Sequence, residues 1–459
     1  MRLPLLLSLV VIAASACGPS ASVQHANTLL ARGDYRGASE YTAAELTKHP
    51  ADAELHRIRL RALLGMGDAT RAVADYRAWR AAHGGTDDRP ALKTMALTTV
   101  WQGVTSPSAP LRLTAIRAIE RLELEALAED VGKAMGDDDD AVAAAAAVAV
   151  LTSFGQAPDV AEQMLRSDDP RARAIAVEGI GRKVRRLALE DLRPLAADPD
   201  PQVRAAVARY LGTVGGGGAA ELQRLIGDAS AEVRAAALTA LVAGGGGGAP
   251  LPDPARFLAD EALGVRLAAV ALVAKAGGKA ALEALLASPD PMVAAVAAHK
   301  RGDRAAAIAV FDRALGATDA GTRAGVVNLL AAALTRDVAI ARATTALADP
   351  APAVQLAAAR ALAYLDQRPA AIAALAALGA SAAPIDRAAA AAELARLGDP
   401  RGPAILAELA ASPDAEVRRA VVQAHLGAGA ITAGLWGALA DDQAATRLDA
   451  AIAILTLQG

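Results

Sequence analysis

An arginine returns about every thirty residues from Leu111 onward, each time just after a turn of the form Asp200-Pro201-Gln202-Val203-Arg204. The marks are Arg112, Arg173, Arg204, Arg234, Arg266, Arg323, Arg387, Arg418 and Arg447, with Ala143, Ala294 and Gln355 standing in phase where arginine is missing. Twelve copies therefore follow one another, at spacings between 28 and 32 residues. So narrow a drift suits one stacked helical pair per copy and excludes a fold built on a single enclosed core. The expected class is all-α: an elongated superhelical α-solenoid of about twelve hairpins, with each copy depending on its neighbours.

The segment that carries each arginine reads as a helix with one apolar face. Val203, Ala206, Val207, Tyr210 and Leu211 stand at offsets 0, 3, 4, 7 and 8, and Val233, Ala236, Ala237, Ala240 and Leu241 repeat the pattern. Asp169-Pro170, Asp200-Pro201, Asp290-Pro291 and Asp349-Pro350 place a capping oxygen and then a proline where a helix should begin. Asp169/Arg173, Asp200/Arg204, Asp319/Arg323 and Asp414/Arg418 keep a spacing of four. These arginines are expected to be structural, because a carboxylate at a helix start can both cap it and pair with a guanidinium. A ligand-facing arginine row is the functional alternative.

Composition supports a thin, repetitive interior. Hydrophobic residues make up 54% and mean hydropathy is +0.29, yet aromatics are only 2% and alanine supplies most of the excess. Each buried methyl adds only about 0.8 kcal/mol, so stability must come from repetition. Beyond the N-terminus no strongly apolar run is long enough to span a bilayer. With 47 basic against 50 acidic residues the net charge is −3, which offers no general field for a polyanion; no nucleic-acid partner is expected.

Cys17 is the one cysteine. Met1-Arg2 forms a minimal positive start, Leu3 to Ala13 is apolar, and the small residues Ala14-Ser15-Ala16 directly precede the thiol. This resembles a bacterial lipoprotein signal, although Ala14 stands where that family usually has leucine. The resemblance implies cleavage between Ala16 and Cys17, acylation of Cys17, and a chain anchored by lipid. An ordinary secretory signal ending near a chance cysteine is the alternative. Gly18 follows without the aspartate that retains some lipoproteins in the inner membrane, which favours the outer membrane, facing the periplasm.

Residues 17–22 read as a tether. Within 23–83, Leu29, Gly33-Asp34 and Ala38 recur as Leu63, Gly67-Asp68 and Ala72 at a spacing of 34. Together with Ala26, Tyr35, Tyr41 and Pro50 this resembles a tetratricopeptide pair, in which glycine is expected to let antiparallel helices cross closely. Gly84-Gly85-Thr86-Asp87-Asp88 reads as the start of a linker over 84–89, and the arginine register occupies 90–459. That register, with the connection Leu397-Gly398-Asp399-Pro400-Arg401, resembles the HEAT-repeat family and its short bacterial repeats of about thirty residues.

Trp101 and Trp436 each lie eleven residues before the arginine of the first and last copies. They read as end caps, one large ring covering apolar surface that a missing repeat would have buried; stacking on a ligand is the alternative. The runs Gly215 to Gly218 and Gly244 to Gly248 lack the strand and the Lys-Ser or Lys-Thr of a phosphate loop and read as lengthened loops. His25, His49, His56, His83, His299 and His425 form no HxxxH pair, and no nucleophile signature is present. The run Asp137 to Asp140 reads as a solvated cap, a calcium ion being the alternative. Arg182-Lys183-Val184-Arg185-Arg186 is the densest basic patch and reads as a wetted helix end, with an acidic partner or anionic lipid as alternatives.

No catalytic, cofactor-binding or metal-binding residue emerges. The chain is expected to be a monomeric, non-catalytic scaffold or adaptor of the bacterial cell envelope, binding a protein or peptide along its solenoid surface. Two rivals stand beside it: an enzyme resembling the HEAT-like bilin lyases, and an envelope or outer-membrane assembly factor.

Overall fold

The computed structural model describes residues 20–154, 158–244, 247, 251–381 and 383–458; it is all-helical, with no strand among them. The signal segment, Cys17 and part of the second glycine run lie outside the described residues. The chain divides into two units, one ending at Thr98 and the other comprising Thr99–Gly459.

The first unit holds two helical hairpins: α1 (Ala21–Ala31), α2 (Tyr35–Lys48), α3 (Ala53–Gly65) and α4 (Ala69–Ala82). Gly33 and Gly67 turn the chain with φ of 76° and 80°, and a Cβ at either would meet nothing within 4 Å. Their role is left-handed backbone, not the close helix crossing expected of them. The close approach lies at Gly65, where a Cβ would sit 2.5 Å from the Tyr35 ring. Asp34 and Asp68 then cap α2 and α4 by accepting from Gly37 N and Arg71 N. Residues 84–89 are tied back to α4: Arg80 Nε donates to Asp87 at 2.7 Å, and Asp88 N donates to the Tyr76 hydroxyl at 3.1 Å. The boundary between units accordingly falls later, inside the helix Arg89–Val104.

The second unit is the α-solenoid. Its twelve second helices are α5 (Ala109–Leu122), α6 (Asp140–Phe154), α7 (Pro170–Val184), α8 (Pro201–Leu211), α9 (Ala231–Ala243), α10 (Leu263–Lys275), α11 (Pro291–Arg301), α12 (Ala320–Ala333), α13 (Pro352–Tyr364), α14 (Pro384–Arg396), α15 (Ala415–Ala428) and α16 (Ala444–Gln458). The first helix of each pair is often short or broken into 3-10 turns, as in Leu189–Leu192 followed by Arg193–Ala197. Asp169, Asp200 and Asp290 cap α7, α8 and α11 with proline next in line. Asp349-Pro350 departs from this pattern, because α13 starts later, at Pro352.

One apolar layer runs across copy boundaries. A single cluster extends from Ala147 to Leu272 through Val203, Val233 and Val265, and another extends from Ala294 to Ala371. Alanine dominates the facing surfaces, so the second helices approach closely and touch one another in succession, whereas consecutive first helices seldom meet. The second helices are therefore the inner layer. The succession does not stop at the last copy: α16 packs against α5. Twelve copies sharing one full turn amount to about 30° each.

This closure corrects the expectation of an elongated array with free ends. Trp436 is buried beside Leu435, and Trp101 is half-buried, but neither covers an empty end. At the join, Gly103 makes room: a Cβ there would lie 2.9 Å from the Ala115 Cβ and 3.0 Å from Leu448 Cδ1. The glycine runs also touch. A Cβ on Gly216 would sit 2.9 Å from the Gly247 Cα, so side chains are excluded by a backbone-to-backbone approach between neighbouring copies.

Gly103→Ala and Gly132→Ala each gain up to about 1 kcal/mol of helix propensity. Gly132 has open space around it and should raise the melting temperature, whereas Gly103→Ala should lower it by crowding the join. Thermal circular dichroism of the two variants checks the difference in sign.

Candidate binding surface

The recurring arginines join one copy to the next. Arg204 Nη1 donates to the carbonyls of Asp198 and Pro199 in its own turn, at 2.8 and 2.9 Å. Its Nε and Nη2 cross to the next copy and donate to Asp228 at 2.7 and 2.8 Å. Arg112, Arg173, Arg234, Arg266, Arg323 and Arg418 reach Asp137, Asp198, Asp260, Asp290, Asp349 and Asp441 in the same way. Each receiving aspartate also orders its own turn, as Asp228 does by accepting from Ser230 N.

The partner is thus the aspartate of the following turn, not the one four residues earlier. Asp169, Asp200, Asp319 and Asp414 are engaged by the backbone N–H groups of Arg171, Gln202, Thr322 and Glu416. Exceptions mark the edges of the pattern. Gln355 keeps only the local half, donating to Asp349 O at 2.6 Å. Arg387 turns to Gly379 O and Glu408, and among the described residues Arg447 bonds only the carbonyls of Asp441 and Asp442 in its own turn. Ala143 and Ala294 are buried.

Electrostatics follow the geometry. The arginine beside each holds Asp228, Asp260 and Asp349 below the usual carboxylate range, and the aspartates raise Arg204, Arg234 and Arg323 in turn. With their donors committed, these guanidiniums act as ties between copies.

The other singled-out groups are similarly occupied. Asp137 and Asp138 take Arg112, Asp139 caps Ala141 N and Val142 N, and Asp140 accepts from the Ser167 hydroxyl. Among the described residues, no group of three or more His, Cys, Asp and Glu side chains could hold a metal ion. In the basic run, Arg182 pairs with Glu120 at 2.7 Å and Lys183 donates to Thr152 O. His25 meets the Tyr41 ring edge-on, while His83 stacks on Trp79 and donates from Nδ1 to Trp79 O. His425 is buried and bonds Val421 O and the Thr432 hydroxyl. His299 is held low by burial, and His49 ends α2.

What remains is the inner face. Counting from the repeat position, residues at offsets two, five and nine point inward: Thr114, Arg117 and Arg121 on α5, Ile175, Glu178 and Arg182 on α7, Asp449 and Ile452 on α16. With Val148, Gln423 and others they line a cavity of about 590 Å³. Its walls come from both ends of the array, so it exists because α16 meets α5. Each carboxylate in the wall is met by an arginine: Glu120 by Arg182, Glu178 by Arg209 at 2.9 Å, and Asp449 by Arg419 at 2.6 Å. Arg117 and Arg121 make no hydrogen bond or ion pair among the described residues. Sequence reasoning passed over both, although the inward register was open to it once the repeat phase was known.

A family model described as HEAT repeats matches residues 157–241 and 340–427. No curated protein matches this chain. Among solved structures, one chain from a complex in which Kap95p binding induces the switch loops of RanGDP to adopt the GTP-bound conformation aligns at 14% identity. It covers 89% of this chain and 71% of its own length, with a TM-score of 0.36.

Two measurements test this account of the ionisable groups. Arg204→Ala strands a mostly buried Asp228 and should cost about 2–3 kcal/mol, whereas Arg447→Ala, which removes bonds to the carbonyls of its own turn and strands no carboxylate, should cost about 1 kcal/mol or less. Urea midpoints compare them directly. The second concerns His56, which is buried against Trp79 with its pKa pushed down to about 4 by loss of solvent. The unfolded chain takes up a proton there below about pH 6.5 and the folded chain only near 4. Stability should therefore fall by up to about 3 kcal/mol across that interval as pH drops, and His56→Phe should flatten this part of the urea-midpoint profile.

Proposed function

We propose that this chain is a lipid-anchored docking platform of the bacterial cell envelope, holding a protein or peptide partner on the inner surface of its second unit. The observation that supports it most is the division of labour among the arginines. One set is consumed in ties between copies, while the inward register includes Arg117 and Arg121, which make no hydrogen bond or ion pair among the described residues. Such a surface has a rigid frame and a freely varied lining, which is what recognition on a repeat scaffold requires.

Cys17, after cleavage behind Ala16, is the acylated residue in this reading, and the outer membrane facing the periplasm is the location. The two hairpins of the first unit, with their Gly-Asp turns repeated at 34 residues, are taken as a tetratricopeptide-like pair close to the anchor. The protein is taken to act as a monomer without catalysis, cofactor or nucleic acid.

The expected mature form has diacylglycerol on Cys17, and Cys17→Ser should move the protein from the membrane fraction to the soluble fraction. Mass spectrometry of the N-terminal peptide reads the first and fractionation the second. Crosslinking of intact cells followed by purification should then yield a defined partner; a chain that captures none would count against the platform.

A further inference from the structure

We propose that the cavity where the first and last copies meet seats an acidic segment of a partner polypeptide, with its carboxylates taken by Arg117 and Arg121. This rests on the docking reading and names the chemistry of the partner at one place. The two arginines stand four apart on α5 and face the same space. Like charges at that spacing repel, and no ion pair among the described residues offsets them, because the wall carboxylates Glu120, Glu178 and Asp449 are bound by Arg182, Arg209 and Arg419. The uncompensated charge is thus positive and sits in a concave wall that concentrates its field.

Guanidiniums prefer planar acceptors that take two parallel hydrogen bonds, as a carboxylate does. The rest of the lining decides what carries that carboxylate. Val148, Ile175, Leu426 and Ile452 give the cavity aliphatic walls, which a free inorganic anion would leave wetted and which aliphatic side chains would cover. No aromatic ring lines it on which a base could stack. Its volume of about 590 Å³ lies within the roughly 300–1,000 Å³ of ligand-sized pockets, enough for a few residues of chain.

The test uses the purified protein and a pool of N-acetylated, C-amidated pentapeptides randomised over Leu, Val, Ala, Asp and Glu. A matched pool carries Asn and Gln in place of the acids. Retention is read by mass spectrometry, with inorganic phosphate as competitor. The acidic pool should be retained about tenfold or more over the amide pool, and Arg117→Gln with Arg121→Gln should abolish the difference. Both side chains are exposed, so the double variant should melt like the parent; Arg117→Lys with Arg121→Lys, which keeps the charge and loses the fork, should retain part of the preference. Equal retention of the two pools, a preference that survives the Gln double variant, or phosphate held in place of peptide would each overturn the assignment. Failure here is separable from failure of the platform. A cellular partner captured equally by parent and Gln variant overturns the acidic seat alone, whereas no partner captured by either overturns the docking reading.

Discussion

A guanidinium that spans two copies organises the second unit. Its Nη1 closes the turn it comes from and its other edge grips the aspartate of the turn that follows, so one side chain fixes local conformation and inter-copy distance together. Arg204 and Asp228 lie mostly out of solvent, where removing one partner costs far more than the pair gains over water. The tie therefore sets register more than it adds stability. Cohesion comes from the alanine- and valine-rich layer beneath, continuous from Ala147 to Leu272.

That layer also bends the unit. Small side chains on the second helices let neighbours draw close on the inside, while the broken first helices stay apart on the outside. Repeated with little variation, the difference returns α16 to α5. Local chemistry accommodates the return at a few points: Gly103 gives way to Leu448, and Gly216 meets the backbone of Gly247. The cavity with Arg117 and Arg121 is a by-product of the same curvature.

Much of this was legible in the residues. The arginine period and the Asp-Pro starts at Asp169, Asp200 and Asp290 carry the helix count and helix beginnings, because caps and periodicity are local. Non-local features were not. The aspartate four residues before Arg173, Arg204, Arg323 and Arg418 is nearest in sequence, but its oxygen is engaged by the first turn of its own helix, leaving the guanidinium of Arg204 to reach a copy onward. Closure depends on a small angle summed over twelve copies, which no single motif encodes. Arg117 and Arg121 are ordinary surface arginines until α16 is brought opposite them.

A closed circuit changes what duplication can do. An open array that gains or loses a copy merely changes length, and its terminal copies fray first. Here an added or deleted copy would leave a gap or an overlap of about 30° at the seam between Gly103 and Leu448, so the copy number is held by geometry and not only by selection for length.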